Sequence, residues 1–306
     1  MQHILITGGS GLLGRAITAQ LHALGYRVAW MSRRIRPAGN SKDLALPDKV
    51  FLWNPESGHL DPEALSWSDV IIHLAGEGIA DKRWTPSRKK IIIESRTKTT
   101  ELLVSAMRAL PQKKHLVIAA SAIGFYGPSE KLLLESDPTG NGFLAYSVNE
   151  WEKATANFED VALRAVTFRI GIVLSKNGGA YPQLLQTAMI RVLPFLGNGK
   201  QMYPWIHVDD VVDMVLFAIS HPVSGTFNAV SPNPVTQAAI MNTYGDVTSG
   251  WYLKIPVPKF IIRLLLGEMA DMVLLTQMVS AEKIITAGYK FKFPDINAAI
   301  RDLEKK

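Results

Sequence analysis

The 306-residue chain contains no cysteine, which excludes disulfides, thiol nucleophiles and thiolate metal ligands. Its 7 histidines form no dense cluster, so no metal site is expected. No run approaches the ~20 apolar residues of a membrane span, and the stretch from Phe260 to Leu266 is interrupted by Arg263. Carboxylates are missing from the start of the chain, the first being Asp43. The net charge of +6 comes from basic residues dispersed among acids, not gathered in an arm with interleaved aromatics, which argues against a nucleic-acid partner. A strand-like run begins almost at residue 1 and leaves no room for a signal peptide, so a cytoplasmic location is expected. A hydrophobic content of 47% is enough for one large α/β domain carrying a smaller lobe.

What the chain does have is a cluster of glycines near its start. Ile4 to Gly14 reads ILITGGSGLLG, a short apolar run that ends in glycines and opens onto a helix with Leu13, Ile17, Gln20, Leu21 and Leu24 near one face. Two spacings fit, Gly9-x-Gly11-x-x-Gly14 and Gly8-x-x-Gly11-x-x-Gly14. A tight first turn, backbone N–H groups close to a pyrophosphate and a helix packed tightly on its strand each select glycine. Gly8, Gly11, Leu12, Leu13 and Gly14 are therefore candidate dinucleotide contacts.

The missing early carboxylates then bear on which dinucleotide. A cofactor without a 2′-phosphate is held by an acidic residue about 20 residues past the glycine loop. Here the second strand ends in Ser32-Arg33-Arg34. A hydroxyl and a guanidinium suit a 2′-phosphate, so Ser32 and Arg33 favour NADP(H) over NADH. The alternative is that Arg33, Arg34 and Arg36 form only a solvated charge run.

Strand-like runs at about 3–7, 27–31, 50–53, 70–74, 115–120 and 165–170 alternate with helical patterning, including a helix from about Pro86 through Met107. This predicts an α/β fold, a Rossmann-type doubly wound parallel sheet. From about Ile172 the rhythm breaks. The expected division is a dinucleotide-binding core over 1–172 with a return segment at 207–230, and a smaller C-terminal substrate-capping lobe over 173–206 and 231–306. The apolar segment Leu184, Leu185, Met189, Val192, Leu193 and Phe195, flanked by glycines 178, 179, 197 and 199, is expected to cap the nicotinamide end, and an apolar helix is expected around Phe260 to Leu275.

TGGSGLLG, Leu74-Ala75-Gly76-Glu77, Arg83-Trp84, Ser95-Arg96, Arg169-x-Gly171-x-Val173-Leu174, Trp205-Ile206-His207-x-Asp209-Asp210, Pro232-Asn233-Pro234-Val235-Thr236 and Gly267-Glu268-Met269 together resemble the atypical extended short-chain dehydrogenase/reductases. More narrowly, the chain is similar to the NAD-dependent epimerase/dehydratase-like group related to bacterial YfcH, over nearly its whole length. The resemblance implies a Rossmann core with a C-terminal lobe, NADP(H) binding and, in the better-known relatives, a nucleotide-sugar-like substrate.

Ordinary members of that family abstract a hydroxyl proton with a tyrosine whose pKa is lowered by a lysine four residues on, aided by a Ser or Thr after an earlier strand. Here Ser121 ends such a strand, one residue earlier than the usual hydroxyl position, which Ala122 occupies. The tyrosine candidate is Tyr146, but position 150 is Glu, and Lys153 would have to reach around two helical turns. In the narrower group the tyrosine is not a fixed feature, whereas the Trp151-Glu152 pair is. The candidate catalytic residues are thus Ser121 and Tyr146, each with a plain alternative, a strand-end hydrogen-bond donor and a helix-surface aromatic.

Leu74, Ala75, Gly76 and Glu77 follow a strand whose C-terminal end faces the cofactor in open α/β sheets, and Arg96 lies on the next helix, so all five are candidate cofactor contacts. Arg169, also at a strand end, is a candidate for an anionic group or a surface salt bridge. His207 with Asp209 or Asp210 reads as a His–carboxylate pair or as a carboxylate cap on the following helix, the second favoured. Met202, Tyr203 and Trp205 are candidates for a pocket wall or core. The expected function is an NADP-dependent oxidoreductase or epimerase transferring hydride at a hydroxylated carbon, the alternative an NADPH-binding regulator with a degenerate catalytic set. The expected partners are a small-molecule substrate and a second copy in a homodimer, with neither nucleic acid nor a membrane.

Overall fold

The computed structural model describes residues 2–34 and 45–305. In chain order its strands are β1 (His3–Thr7), β2 (Arg27–Ser32), β3 (Lys49–Asn54), β4 (His59–Leu60), β5 (Val70–His73), β6 (Leu116–Ala122), β7 (Ser129–Leu133), β8 (Arg164–Ile170), β9 (Ile172–Leu174), β10 (Val192–Leu196), β11 (Met202–Tyr203), β12 (Trp205–His207), β13 (Gly225–Ala229), β14 (Val235–Thr236), β15 (Leu253–Val257) and β16 (Gln277–Val279). Its helices are α1 (Leu12–Ala23), α2 (Pro62–Trp67), α3 (Pro86–Arg108), α4 (Phe143–Ala156), α5 (Phe158–Val161), α6 (Ala180–Leu184), α7 (Val208–Ser220), α8 (Gln237–Val247), α9 (Lys259–Leu266), α10 (Asp271–Leu274), α11 (Glu282–Thr286) and α12 (Ile296–Glu304).

One sheet dominates, in the order β13-β8-β6-β5-β1-β2-β3-β4, with every neighbouring pair parallel except β3 with β4. The order reverses between β1 and β5, and in open sheets of this kind a ligand binds outside the carboxyl ends of the strands at such a switch point. The strands are apolar on both faces because both faces are covered. In β1, Ile4 and Ile6 join the cluster under α1 and α7, while Leu5 joins the one under α2, α3 and α5.

The shorter strands pair as β7 with β16, β9 with β12, β10 with β15 and β11 with β14. A third apolar cluster, built from Leu174, Tyr181, Leu193, Tyr203, Trp205, Ile240, Met241 and α12 residues, forms the core of the later segments. Trp205 is fully buried there, its Nε1 donating to Asn233 O at 3.0 Å, and Tyr203 OH donates to Val273 O at 2.7 Å, so both are core residues and not a pocket wall. The helix expected from Phe260 to Leu275 is not continuous. Gly267, at φ +60, ends α9, and a 3-10 turn (Gly267–Ala270) separates it from α10.

Candidate functional site

The glycine loop joins β1 to α1, and the protein itself requires three of its glycines. Gly8 has φ +71, and a Cβ there would lie 2.8 Å from Leu74 O; at Gly9 it would enter the Trp30 ring at 2.5 Å; at Gly14 it would meet Gly9 Cα at 2.5 Å. Gly11 differs, since an added Cβ would meet only Gly8 O, at 3.3 Å. Gly11 is also the N-cap of α1 and provides no side-chain cap, so the first N–H groups of the helix, from Leu12 and Leu13 on, point out of the loop. A diphosphate fits there, because unpaired helix N–H groups and the helix dipole favour an anion and a side chain at position 11 would stand in its way.

The segment Leu74 to Glu77 beside this loop is held by buried groups. Thr7 Oγ1 accepts from Leu74 N and Ala75 N, both at 3.2 Å, and lies 2.8 Å from His73 Nδ1. His73 Nε2 is 2.9 Å from Thr100 Oγ1, which itself donates to Arg96 O. That leaves Thr100 as acceptor from Nε2–H and Thr7 as donor to Nδ1. Burial pushes the His73 pKa down from 6.5 to about 3, so the ring is neutral. Gly76 leaves room for Arg96, whose guanidinium a Cβ would approach to 3.1 Å. Arg96 donates to Ile92 O and Glu77 O, stacks over Trp151 and is pushed by burial down to about 10, still cationic at neutral pH. Glu77 binds Arg88 at 3.2 Å, and Arg33 Nη2 stands 3.7 Å from its other oxygen with 72% of the Arg33 side chain exposed. Ser32 Oγ donates to Arg34 O at 2.9 Å. Arg36 lies outside the described residues. Two buried donors around this segment, Arg88 Nε and Trp151 Nε1, have no acceptor among the described residues.

At the ends of β6 and β8 the structure brings together residues that the sequence left apart. Ser121 and Arg169 are register partners on adjacent strands, on the face that α4 covers. Ser121 Oγ donates to Glu152 Oε1 at 2.5 Å, and Arg169 grips the same carboxylate with Nε at 2.8 Å and Nη2 at 2.7 Å. The guanidinium lies 3.6 Å from the Phe125 ring centre and donates to Tyr126 OH at 2.8 Å, which in turn donates to Asn228 Oδ1 at 2.7 Å. Burial raises the Tyr126 pKa despite Arg169, so it stays a neutral phenol. Burial also works against the charge of Arg169, but its bonds to Glu152 more than offset this and its pKa rises. Arg169 is thus buried and forked onto Glu152, not a surface salt bridge, and its donors are committed within the chain. Neither Glu152 nor Tyr126 was among the expected site residues. The Trp151-Glu152 pair was the one signal pointing to the first.

Tyr146 lies elsewhere. It is 57% exposed, on the helix face of Glu150 and Lys153, where Lys153 Nζ bonds Glu150 Oε1 at 2.6 Å and that bond, with a lesser contribution from Tyr146, raises the lysine pKa. Ser121 is 3% exposed on the opposite side of α4. At Gly124 in the turn after β6, α4 presents Leu144 and Val148, within 3.6 Å of where a Cβ on that glycine would stand. This (i, i+4) pair is aliphatic and can transfer no proton. His207, not a carboxylate, caps α7 through Nδ1, which accepts from Asp209 N at 3.1 Å. Asp210 instead clamps the later chain, accepting from Tyr289 OH, Lys292 N and Phe293 N.

A model of the NAD dependent epimerase/dehydratase family matches residues 4–230, and a model of a domain of unknown function, DUF1731, matches 257–303. This chain belongs to that epimerase/dehydratase family. An epimerase family protein of Mycobacterium bovis is 35% identical over 97% of this chain and 96% of its own. A crystal structure of the human epimerase family protein SDR39U1 with NADPH superposes with a TM-score of 0.86 at 29% identity, covering 98% of each chain. UDP-glucuronic acid 4-epimerase from Bacillus cereus, solved with NAD, shares the fold at a TM-score of 0.77 and 16% identity over 98% of both chains. The family binds NAD(P), and the human relative was crystallised with NADPH.

Proposed function

We propose that the protein is an NADP(H)-dependent oxidoreductase or epimerase acting on a hydroxylated, nucleotide-sugar-like small molecule. The observation that carries this reading is the Ser121–Glu152–Arg169 cluster at the strand ends beside a loop that fits a diphosphate. A bound nicotinamide would supply the hydride acceptor and donor. The chain's part is to orient the hydroxyl and hold its proton. Because Ser121 donates its own proton to Glu152, it has only lone pairs left to offer, and so accepts from a substrate O–H rather than donating to a carbonyl. Arg169 fixes both oxygens of Glu152 and through them the Ser121 rotamer. The 2′-phosphate would fall to Arg33, exposed enough to leave Glu77 for it, and to Ser32 once its hydroxyl turns away from Arg34 O. The test is reduction of NADP+ by a panel of nucleotide sugars, followed by nicotinamide absorbance. Turnover should fall about 10²-fold or more in Glu152→Gln, the scale of a positioned proton-transfer group.

A second reading, an NADPH-binding regulator, is favoured by one observation: the aliphatic Leu144 and Val148 where a tyrosine–lysine pair would face the turn. Tight NADPH binding without reduction by any hydroxylated compound would select it.

A further inference from the structure

The outer edge of the later segments is apolar and basic. Among the described residues β15 pairs only with β10, and all of it except Val257 is exposed. The turn before β10 abuts the start of β15, where Leu253 N–H donates to Arg191 O at 2.8 Å, and presents Met189, 91% exposed, and Ile190. Exposed Trp251 leads into β15, and α9 leaves it. α9 fully buries only Ile262 and turns Phe260, Leu264 and Leu265 outward, at 71%, 75% and 66% exposure. A surface helix ordinarily shows water its polar face. The helix is anchored, since Arg83 Nη2 donates to Leu264 O at 3.2 Å and Lys89 pairs with Glu268 just beyond. The chain has no Asp or Glu between Asp160 and Asp209, nor between Asp246 and Glu268. The exposed charged side chains within the turn before β10, β15 and α9 are therefore Arg191, Lys254, Lys259 and Arg263, with Asp246 and the Lys89-paired Glu268 at the margins.

We infer that this edge docks peripherally on an anionic lipid surface, with Trp251, Phe260, Leu264 and Leu265 entering the interface and the basic residues facing headgroups. This departs from the expectation of no membrane partner and does not depend on the cofactor reading. α9 lies on the bilayer, since no helix among the described residues is long and apolar enough to cross it. The same charges disfavour a second copy of the chain, because a two-fold contact would set one basic face against another. Lys254 and Pro256 also blunt β15 as a template for strand pairing.

The test is flotation of the full chain with vesicles of equal parts phosphatidylglycerol and phosphatidylcholine, against phosphatidylcholine alone, with sedimentation velocity as a parallel measurement. The expected result is binding to the anionic vesicles only, weakened by salt. Lys259→Gln with Arg263→Gln should weaken it about 30-fold, each basic residue near such a surface contributing a factor of roughly five. Phe260→Ser with Leu264→Ser should abolish flotation while leaving NADPH affinity unchanged. If that pair fails to fold, the lipid comparison and the charge variants still decide. Absence of flotation, flotation indifferent to lipid charge, or a dimer dissolved by the serine substitutions would each overturn the inference.

Discussion

Gly11 and Gly14 stand three residues apart and are glycine for different reasons. At Gly14 an alanine methyl would sit 2.5 Å from Gly9 Cα, so Gly14→Ala should destabilise the fold by about 1–3 kcal/mol, the usual range for overpacking, or more. At Gly11 the methyl meets only Gly8 O at 3.3 Å. Gly11→Ala should therefore lower the urea midpoint less than Gly14→Ala, by no more than the preference of an N-cap for glycine over alanine, and lower NADPH affinity at least tenfold; an equal loss of stability in both variants would contradict this division of roles. A similar contrast separates Tyr146 from Glu152. Tyr146 is exposed on the outer face of α4, so Tyr146→Phe should change turnover by no more than a few-fold, whereas a loss of about 10²–10⁴-fold would restore it as the general acid or base.

At the scale of elements, the junction of β5 with α3 sets a pH dependence. His73 is fully buried, and burial lowers its pKa from 6.5 to about 3. The unfolded chain takes up a proton below 6.5 that the folded chain refuses, so this contribution is fully present above pH 6.5 and is lost as pH falls toward 3. Between pH 7 and pH 5 the loss is about 2 kcal/mol. Urea unfolding at the two pH values should show that loss, and His73→Gln should remove it; the same loss in the variant would assign it to other groups. None of this was legible in the sequence, because Thr7 and Thr100 are 66 and 27 residues from His73 and only the fold joins them. The strands were legible for the opposite reason, since a parallel strand covered on both faces reads as an unbroken apolar run, as in Ile4 to Ile6 and Val70 to Ile72. The exposure of Tyr146 was not legible, because residue type and chain position say nothing about which face of α4 meets the sheet. The break at Gly267 was missed because the apolar pattern runs on past the one residue at φ +60.

At the scale of the whole molecule, the later segments reach the helix that follows the glycine loop through Gly178 and Gly179. Gly178 and Gly179 lie against the Leu12 side chain, at 3.7 and 3.3 Å from where a Cβ on each would be, so ordering of α1 by a dinucleotide is passed to them. Residues 178–190 should gain amide protection when NADPH binds. β10 should not, because it is already paired to β15 and its Leu193 is buried in the third cluster. Equal gains in both stretches, read by hydrogen-exchange mass spectrometry, would contradict that division. Calorimetric titration of the unmodified protein and of Arg33→Asp with NADPH and NADH decides whether Ser32 and Arg33 make the dinucleotide site selective for NADP(H). NADPH should bind more tightly than NADH, with the preference reduced by about 1–3 kcal/mol in the variant, the scale of a charge-assisted hydrogen bond. Equal affinities in the unmodified protein would contradict it.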